Sequence, residues 1–235
     1  TAVIDTALCV GAGGSSEYKE DKPILKNAEG KLVIPDSQVK GRLRHECEKL
    51  VRALGWDICE SPVAETMCPQ RAGVSGYFQR SKYHLQDAPY QPDGSPQHHC
   101  LICQLFGNPT LPSRLQFSDL VCIEHPDNIP EVLRPGVTIN RRRRTAEDQK
   151  LYFLETSPAN VALKFEGKIL LRPRWKLAAE SETAQSPDFA RALLLAGLHH
   201  IHALGGSKST GLGWLHWEFA DQDLSIPKEV WDWLG

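Results

Sequence analysis

Two stretches of this chain place apolar residues at helical spacing, and each lies between runs that read as strands, an order that leaves few folds open. In "IPDSQVKGRLRHECEKLVRALG", Val39, Leu43, Cys47, Leu50, Val51 and Leu54 share one face, with Asp36 or Ser37 to cap the start and Gly55 to end it. The second stretch opens with Ser186, Pro187 and Asp188, carries Phe189, Leu193, Leu194, Leu198, Ile201 and Leu204, and stops at Gly205. Strand-like runs are "AVIDTALCVG" (residues 2–10), "LQFSDLVCIE", "VALKFEGKILL" and "WLHWEF". The order strand, helix, strand, strand, helix, strand predicts an α+β fold of the ferredoxin-like, split βαβ kind: an antiparallel sheet with two helices on one face. The open face of such a sheet commonly binds RNA, but a fold alone assigns no function.

Two segments interrupt that order. Residues 56–114 are rich in Pro, Gly, Gln and His without periodicity, which predicts an insertion ordered by something other than an apolar core. Residues 125–160 read as a second irregular stretch. For 235 residues, the expectation is one elaborated domain over 1–235. No run of about eighteen apolar residues is present to span a bilayer. The start, "TAVIDTALCVGAGG", lacks the basic-then-apolar layout of a signal peptide, so a cytosolic protein is expected.

Seven cysteines, an odd number, argue against a disulfide framework and turn attention to metal ligation. In "HHCLIC", Cys100 and Cys103 form a C-x-x-C clamp with His98 or His99 beside it, and Cys68 in "MCPQ" is the natural fourth ligand. Tetrahedral zinc suits such ligands and would order a polar, proline-rich insertion. A chance or redox-active C-x-x-C is the competing reading. No general base lies nearby, so the zinc expected here is structural.

The net charge of -2 hides local basic runs. Lys40 and Arg44 stand one helical turn apart near a helix start whose free N–H groups also favour anions. This is either a grip on a nucleic-acid backbone or a solvated face. Arg141, Arg142, Arg143 and Arg144 sit beside Tyr152 and Phe153 in the second insertion, equipment suited to gripping or wedging single strands, with a solvated loop as the rival reading. The run "GGSKSTGLG", Gly205 to Gly213, is not a Walker loop: Lys208 follows Ser207 rather than glycine, and the loop leaves a helix to enter a strand. Its glycines suit close approach to another chain, with Lys208 available for a phosphate. Asp21 stands with Glu17 and Glu20 in the first loop, where a carboxylate either binds a divalent ion or is simply solvated.

Taken together, these segments resemble the RAMP superfamily of CRISPR-Cas proteins, and specifically the backbone subunits of type III effector complexes. "IPDSQVKGRLR" is similar to the family's I-P-G-S-S-[LV]-K-G-x-[LM]-R helix start, and "CLICQLFG" to its C-x-x-C-x-[LV]-F-G segment. "INRRRRTA" followed by "LYFLE" resembles its insertion before the third strand, and "GGSKSTGLG" its C-terminal glycine-rich loop. Asp36 replaces the family's usual glycine, and Asn140 stands where aspartate is frequent.

The resemblance implies a modified ferredoxin-like, RNA-recognition-motif-like domain in which 56–114 is a zinc-stabilised insertion and 125–160 a thumb hairpin. It implies sister subunits stacked as a filament along a guide (CRISPR) RNA, each thumb pushing between guide and complementary target RNA. Ser37, Lys40, Arg42 and Arg44 would hold the guide backbone, as would Gly206, Lys208 and Ser209 of the glycine loop; Arg141 matches the thumb arginine. "DKPILK" puts Asp21 in the slot of the family's target-cleaving aspartate. The implied reaction is Mg- or Mn-dependent attack of the target's own 2'-hydroxyl on the adjacent phosphate, leaving a 2',3'-cyclic phosphate. Two rival readings stand: a purely structural RNA-binding subunit, and a guide-RNA-processing ribonuclease using a histidine acid/base. For the latter, His199, His200 and His202 are candidates, although an apolar helix favours packing for them.

Overall fold

Residues 2–4 are apolar and buried at every position, and the strand they form, β1 (Ala2–Ile4), is flanked on both sides by other strands of a sheet. In the computed structural model, residues 1–11, 23–56, 58–63, 65–68, 99–159, 161–172, 187–220, 226–228 and 230–231 are described. They divide into two units: Thr1–Val39, Ser118–Lys168 and Ile201–Glu218 form the first, and Lys40–Phe117, Ile169–His200 and Phe219–Gly235 the second.

The first unit holds a five-stranded antiparallel sheet built from β1, β2 (Val33–Ile34), β4 (Leu120–Cys122), β7 (Leu163–Glu166) and β9 (Leu215–Trp217). Their order is β2-β4-β7-β1-β9. Ile4 pairs with Leu163 on one side and Leu215 on the other, and Ala2 with Phe165 and Trp217, so one face is apolar. Val3 pairs with Lys164 and His216, which face the other way. There Lys164 meets Glu218 at 2.9 Å and His216 meets Asp5 at 3.0 Å.

Strand β1 stops at Ile4, not at residue 10 as expected. Residues 7–10 are buried, but their backbone partners are irregular. Ser157 Oγ accepts from the Leu8 amide at 2.8 Å, and the Ala7 and Cys9 carbonyls accept from Gly213 and Gly206. Two other expected strands also break. "LQFSDLVCIE" divides into β3 (Leu115–Phe117) and β4, because Ser118 and Asp119 leave the ladder: Ser118 Oγ accepts from the Lys168 amide at 2.8 Å and Asp119 Oδ1 from the Asp36 amide at 2.8 Å. "VALKFEGKILL" divides at Gly167 into β7 and β8 (Ile169–Leu171). A β-carbon there would stand 2.5 Å from Leu120 Cδ2 and 2.8 Å from the Asp119 carbonyl oxygen.

Residues 125–160, irregular by residue pattern although the resemblance implied a hairpin, contain a long hairpin of β5 (Val132–Asn140) and β6 (Thr145–Thr156) with a register shift between Val137 and Ile139. Toward the tip Val137, Ile139 and Leu151 are exposed, so there neither face places its apolar residues inward in the way by which strands are read from sequence. At its base Lys26 is ion-paired with Glu131 and stands 3.9 Å from Glu155. Glu155 is buried and accepts the Ile24 amide at 2.9 Å. Burial pushes its carboxyl above the ordinary range, opposed by the Ile24 amide and reinforced by Glu131.

The second unit contains α1 (Asp36–Ala53) from Lys40 onward, α2 (Leu101–Phe106), the β3–β8 pair and α3 (Pro187–His199). Helices α1 and α3 touch closely at Gly197, where a β-carbon would lie 2.8 Å from both Cys47 Sγ and Leu43 Cδ1. Trp56 stacks on Phe189 at 5.3 Å. Gly55, at φ +74°, ends the α1 turn as expected. The start of α1 differs: Asp36 and Ser37 already lie inside the helix, the Gln38 and Val39 amides donate to the Pro35 carbonyl at 3.1 and 3.3 Å, and Asp119 takes the Asp36 amide. Helix α3 ends at His199, short of Gly205. Among the described residues no helix is long and apolar enough to cross a membrane.

Candidate metal centre and nucleic-acid interface

Four cysteines from three chain segments converge in the second unit. Cys100 is the N-cap of α2 and Cys103 lies in its first turn, so the C-x-x-C spacing turns both sulfurs to one side. Cys59 and Cys68 come from the loop after α1. All four are buried, and their sulfurs lie within 4.8 Å of one another. Cys59 Sγ is 3.5 Å from Cys103 Sγ and 3.7 Å from Cys100 Sγ, and Cys68 Sγ accepts from the Cys100 amide at 3.3 Å. A tetrahedral zinc with bonds of about 2.3 Å needs sulfur–sulfur edges of about 3.8 Å. The donor set and spacing therefore fit a structural Zn²⁺ site, with no position left open for water.

The thiols also perturb one another. Hydrogen bonds from Cys100, then Cys103 and Cys68, hold the Cys59 thiol far below its ordinary range. The hydrogen bond with Cys100 pushes Cys68 up, and that with Cys103 pushes Cys100 up.

Cys68, Cys100 and Cys103 were legible as ligands; Cys59 was not. Its only signal was being a cysteine in the same insertion, without a clamp spacing. His98 lies outside the described residues. His99 is fully buried with its ring Nδ1 3.0 Å from Asn108 Nδ2.

Arg44, expected to face RNA, turns toward this cluster. Its Nη2 is 3.7 Å from Cys103 Sγ, its Nη1 donates to the Gly107 carbonyl at 2.9 Å, and its Nε to Glu48 at 3.0 Å. Arg42 is paired with buried Glu46 at 2.8 Å. Lys40 is half-buried, and Ser37 is exposed in the first turn of the helix.

In the first unit, residues 205–213 form a closed loop. Gly206 donates to the Cys9 carbonyl at 2.6 Å and Gly213 to that of Ala7 at 2.9 Å. A β-carbon on Gly205, at φ +92°, would stand 2.6 Å from the Cys9 oxygen. The close approach read from these glycines is thus partly to the chain's own residues 7–9. Gly206 and Gly211 remain open: the nearest atom to a β-carbon on Gly206 is 3.5 Å away, and on Gly211 nothing lies within 4 Å. Lys208, Ser209 and Thr210 form an exposed 3-10 turn, with Lys208 Nζ on the Gly205 carbonyl at 2.9 Å.

The β5–β6 hairpin ends in Arg141, Arg142, Arg143 and Arg144, all exposed. Asn140 organises this turn. Its Oδ1 accepts from the Arg142 and Arg143 amides at 3.0 Å each, its carbonyl accepts from the Arg144 amide at 2.7 Å, and its Nδ2 donates to Glu147 at 2.7 Å. Arg144 completes the reversal in the left-handed region at φ 55°. Asp21 lies outside the described residues. His199, His200 and His202 are exposed, not packed as expected on an apolar helix. His200 and His202 follow the end of α3, and the His199 ring lies 5.0 Å from that of Phe219.

A family model described as the RAMP superfamily matches residues 1–216. No curated protein matches the chain.

Proposed function

The chain belongs to the RAMP superfamily, CRISPR-associated RNA-binding proteins, and from that premise we propose that it is a guide-RNA-binding backbone subunit of a type III effector complex that cuts complementary target RNA. The observation that carries this reading is the hairpin tip. Four exposed guanidiniums on a turn held by Asn140 present concentrated positive charge at the end of a long two-stranded arm. Such an arm suits a thumb, residues 125–160, inserted between guide and target.

Other features support the same reading. The strand order β4-β7-β1-β9, with β2 added at the edge, supports a ferredoxin-like βαββαβ reading of the antiparallel sheet. The exposed turn at Lys208 and Ser209, with open Gly206, is suited to a guide-RNA backbone, as are Ser37, Lys40 and Arg42. The four-cysteine cluster is suited to a structural zinc that orders residues 56–114. When bound, that metal supplies cross-linking of the insertion and no chemistry on RNA.

In the proposed reaction, Asp21 helps bind Mg²⁺ or Mn²⁺ or orients the target 2'-hydroxyl, and splaying of the target supplies in-line geometry. The test is Asp21→Ala in the assembled complex. We expect unaltered assembly on guide RNA and loss of metal-dependent cutting at this subunit's site. Unchanged cutting there refutes the catalytic assignment of Asp21.

A further inference from the structure

We propose that Arg44 is the charge-balancing partner of the four-cysteine metal centre, a positioning residue for the site and not a contact to RNA. The inference rests on the reading of that cluster as a zinc site. A Zn²⁺ ion with four thiolates leaves two negative charges in excess, and holding them away from water is costly unless they are hydrogen-bonded or paired. Arg44 provides a hydrogen bond and a positive charge that it shares with Glu48. Its Nη2 reaches Cys103 Sγ at 3.7 Å, while two other donors are tied to Glu48 Oε1 and the Gly107 carbonyl. These ties leave the fork little freedom, and the side chain is only 21% exposed. Gly107 is the C-cap of α2, the helix that carries Cys103. One guanidinium therefore contacts both a ligand sulfur and the end of the helix presenting that ligand. Lysine offers the charge but not this fork.

The arrangement makes α1 part of the metal centre. Arg44 and Glu48 are one turn apart on that helix, so its position is linked to occupancy of the cysteine cluster. Outer partners of metal ligands typically change affinity by about 10- to 100-fold, which sets the size of the expected effect.

The experiment uses the full chain, with zinc affinity measured by competition against a chromophoric chelator and the ligand field read from the Co²⁺-substituted protein. For Arg44→Gln we expect zinc affinity lower by about tenfold or more and a shifted thiolate-to-cobalt charge-transfer band. A role confined to packing would not move that band. Arg44→Lys is expected to release zinc a few-fold faster than the wild type and to carry the test if Arg44→Gln does not fold. Wild-type affinity and spectrum in Arg44→Gln, or wild-type release in Arg44→Lys, overturn the inference. A wild-type chain that binds no zinc is a different failure: it removes the metal reading and this inference with it.

Discussion

Gly213 and Leu204 lie backbone against backbone: the Leu204 amide donates to the Gly213 carbonyl at 2.9 Å, and a β-carbon on Gly213 would stand 1.8 Å from the Leu204 carbonyl oxygen. This contact closes the neck of the glycine-rich loop. Gly213 also sits at φ +71°, where a side chain is strained irrespective of space. Gly213→Ala is therefore expected to cost about 3 kcal/mol, from left-handed strain and overpacking together. Chemical denaturation of both proteins checks this. Gly211→Ala, with no neighbour in reach, carries only the strain and should cost less.

The cysteine cluster predicts which substitutions release metal. Wild-type protein should contain about one zinc per chain, and Cys59→Ser should lose it as completely as Cys100→Ser, since each removes one of four ligands. His98→Ala should retain the zinc, because four thiolates already complete the tetrahedron. Elemental analysis of the purified variants decides; zinc kept by Cys59→Ser would refute the four-cysteine set.

Glu155 gives a pH dependence with a defined sign. Its carboxyl is pushed up by burial, so the folded chain holds the proton more tightly than the unfolded one. Stability from this group is then greatest at low pH and falls as pH rises above the ordinary carboxylate range. Glu155→Gln leaves an oxygen for the Ile24 amide but removes the ionisation. Its thermal midpoint should improve relative to wild type between pH 4 and pH 8; a difference that is flat or worsens with pH contradicts this.

Lys208 tests the loop. If it meets an RNA phosphate, Lys208→Ala should weaken binding and reduce the slope of log affinity against log salt by about 0.7. The turn itself should persist, because Ser207 accepts the Thr210 amide and hydroxyl at 3.0 Å and 2.8 Å without the lysine. Filter binding across a salt series distinguishes a lost phosphate contact from a lost fold.

Helix α1 was legible because its apolar stripe recurs at helical spacing and Gly55 closes it. β1 was legible as apolar, but not its end at Ile4, because burial resumes at residues 7–10, beyond exposed Asp5, with side-chain and loop partners in place of the ladder. The hairpin was legible only through the family resemblance. Near the tip both faces are largely exposed and leave no alternation to read, and Asn140 as organiser of the arginine turn appears only when its donors and acceptors are in place.

Local sequence alone determined the C-x-x-C clamp, since three residues of spacing bring two sulfurs to one side of a helix. Only tertiary structure decided that Cys59, forty-four residues from Cys103, joins them, and that Arg44 serves this cluster. Charge and spacing along a chain are local properties. The partner that a side chain finds is set by which distant segments the core brings within a few ångströms of it.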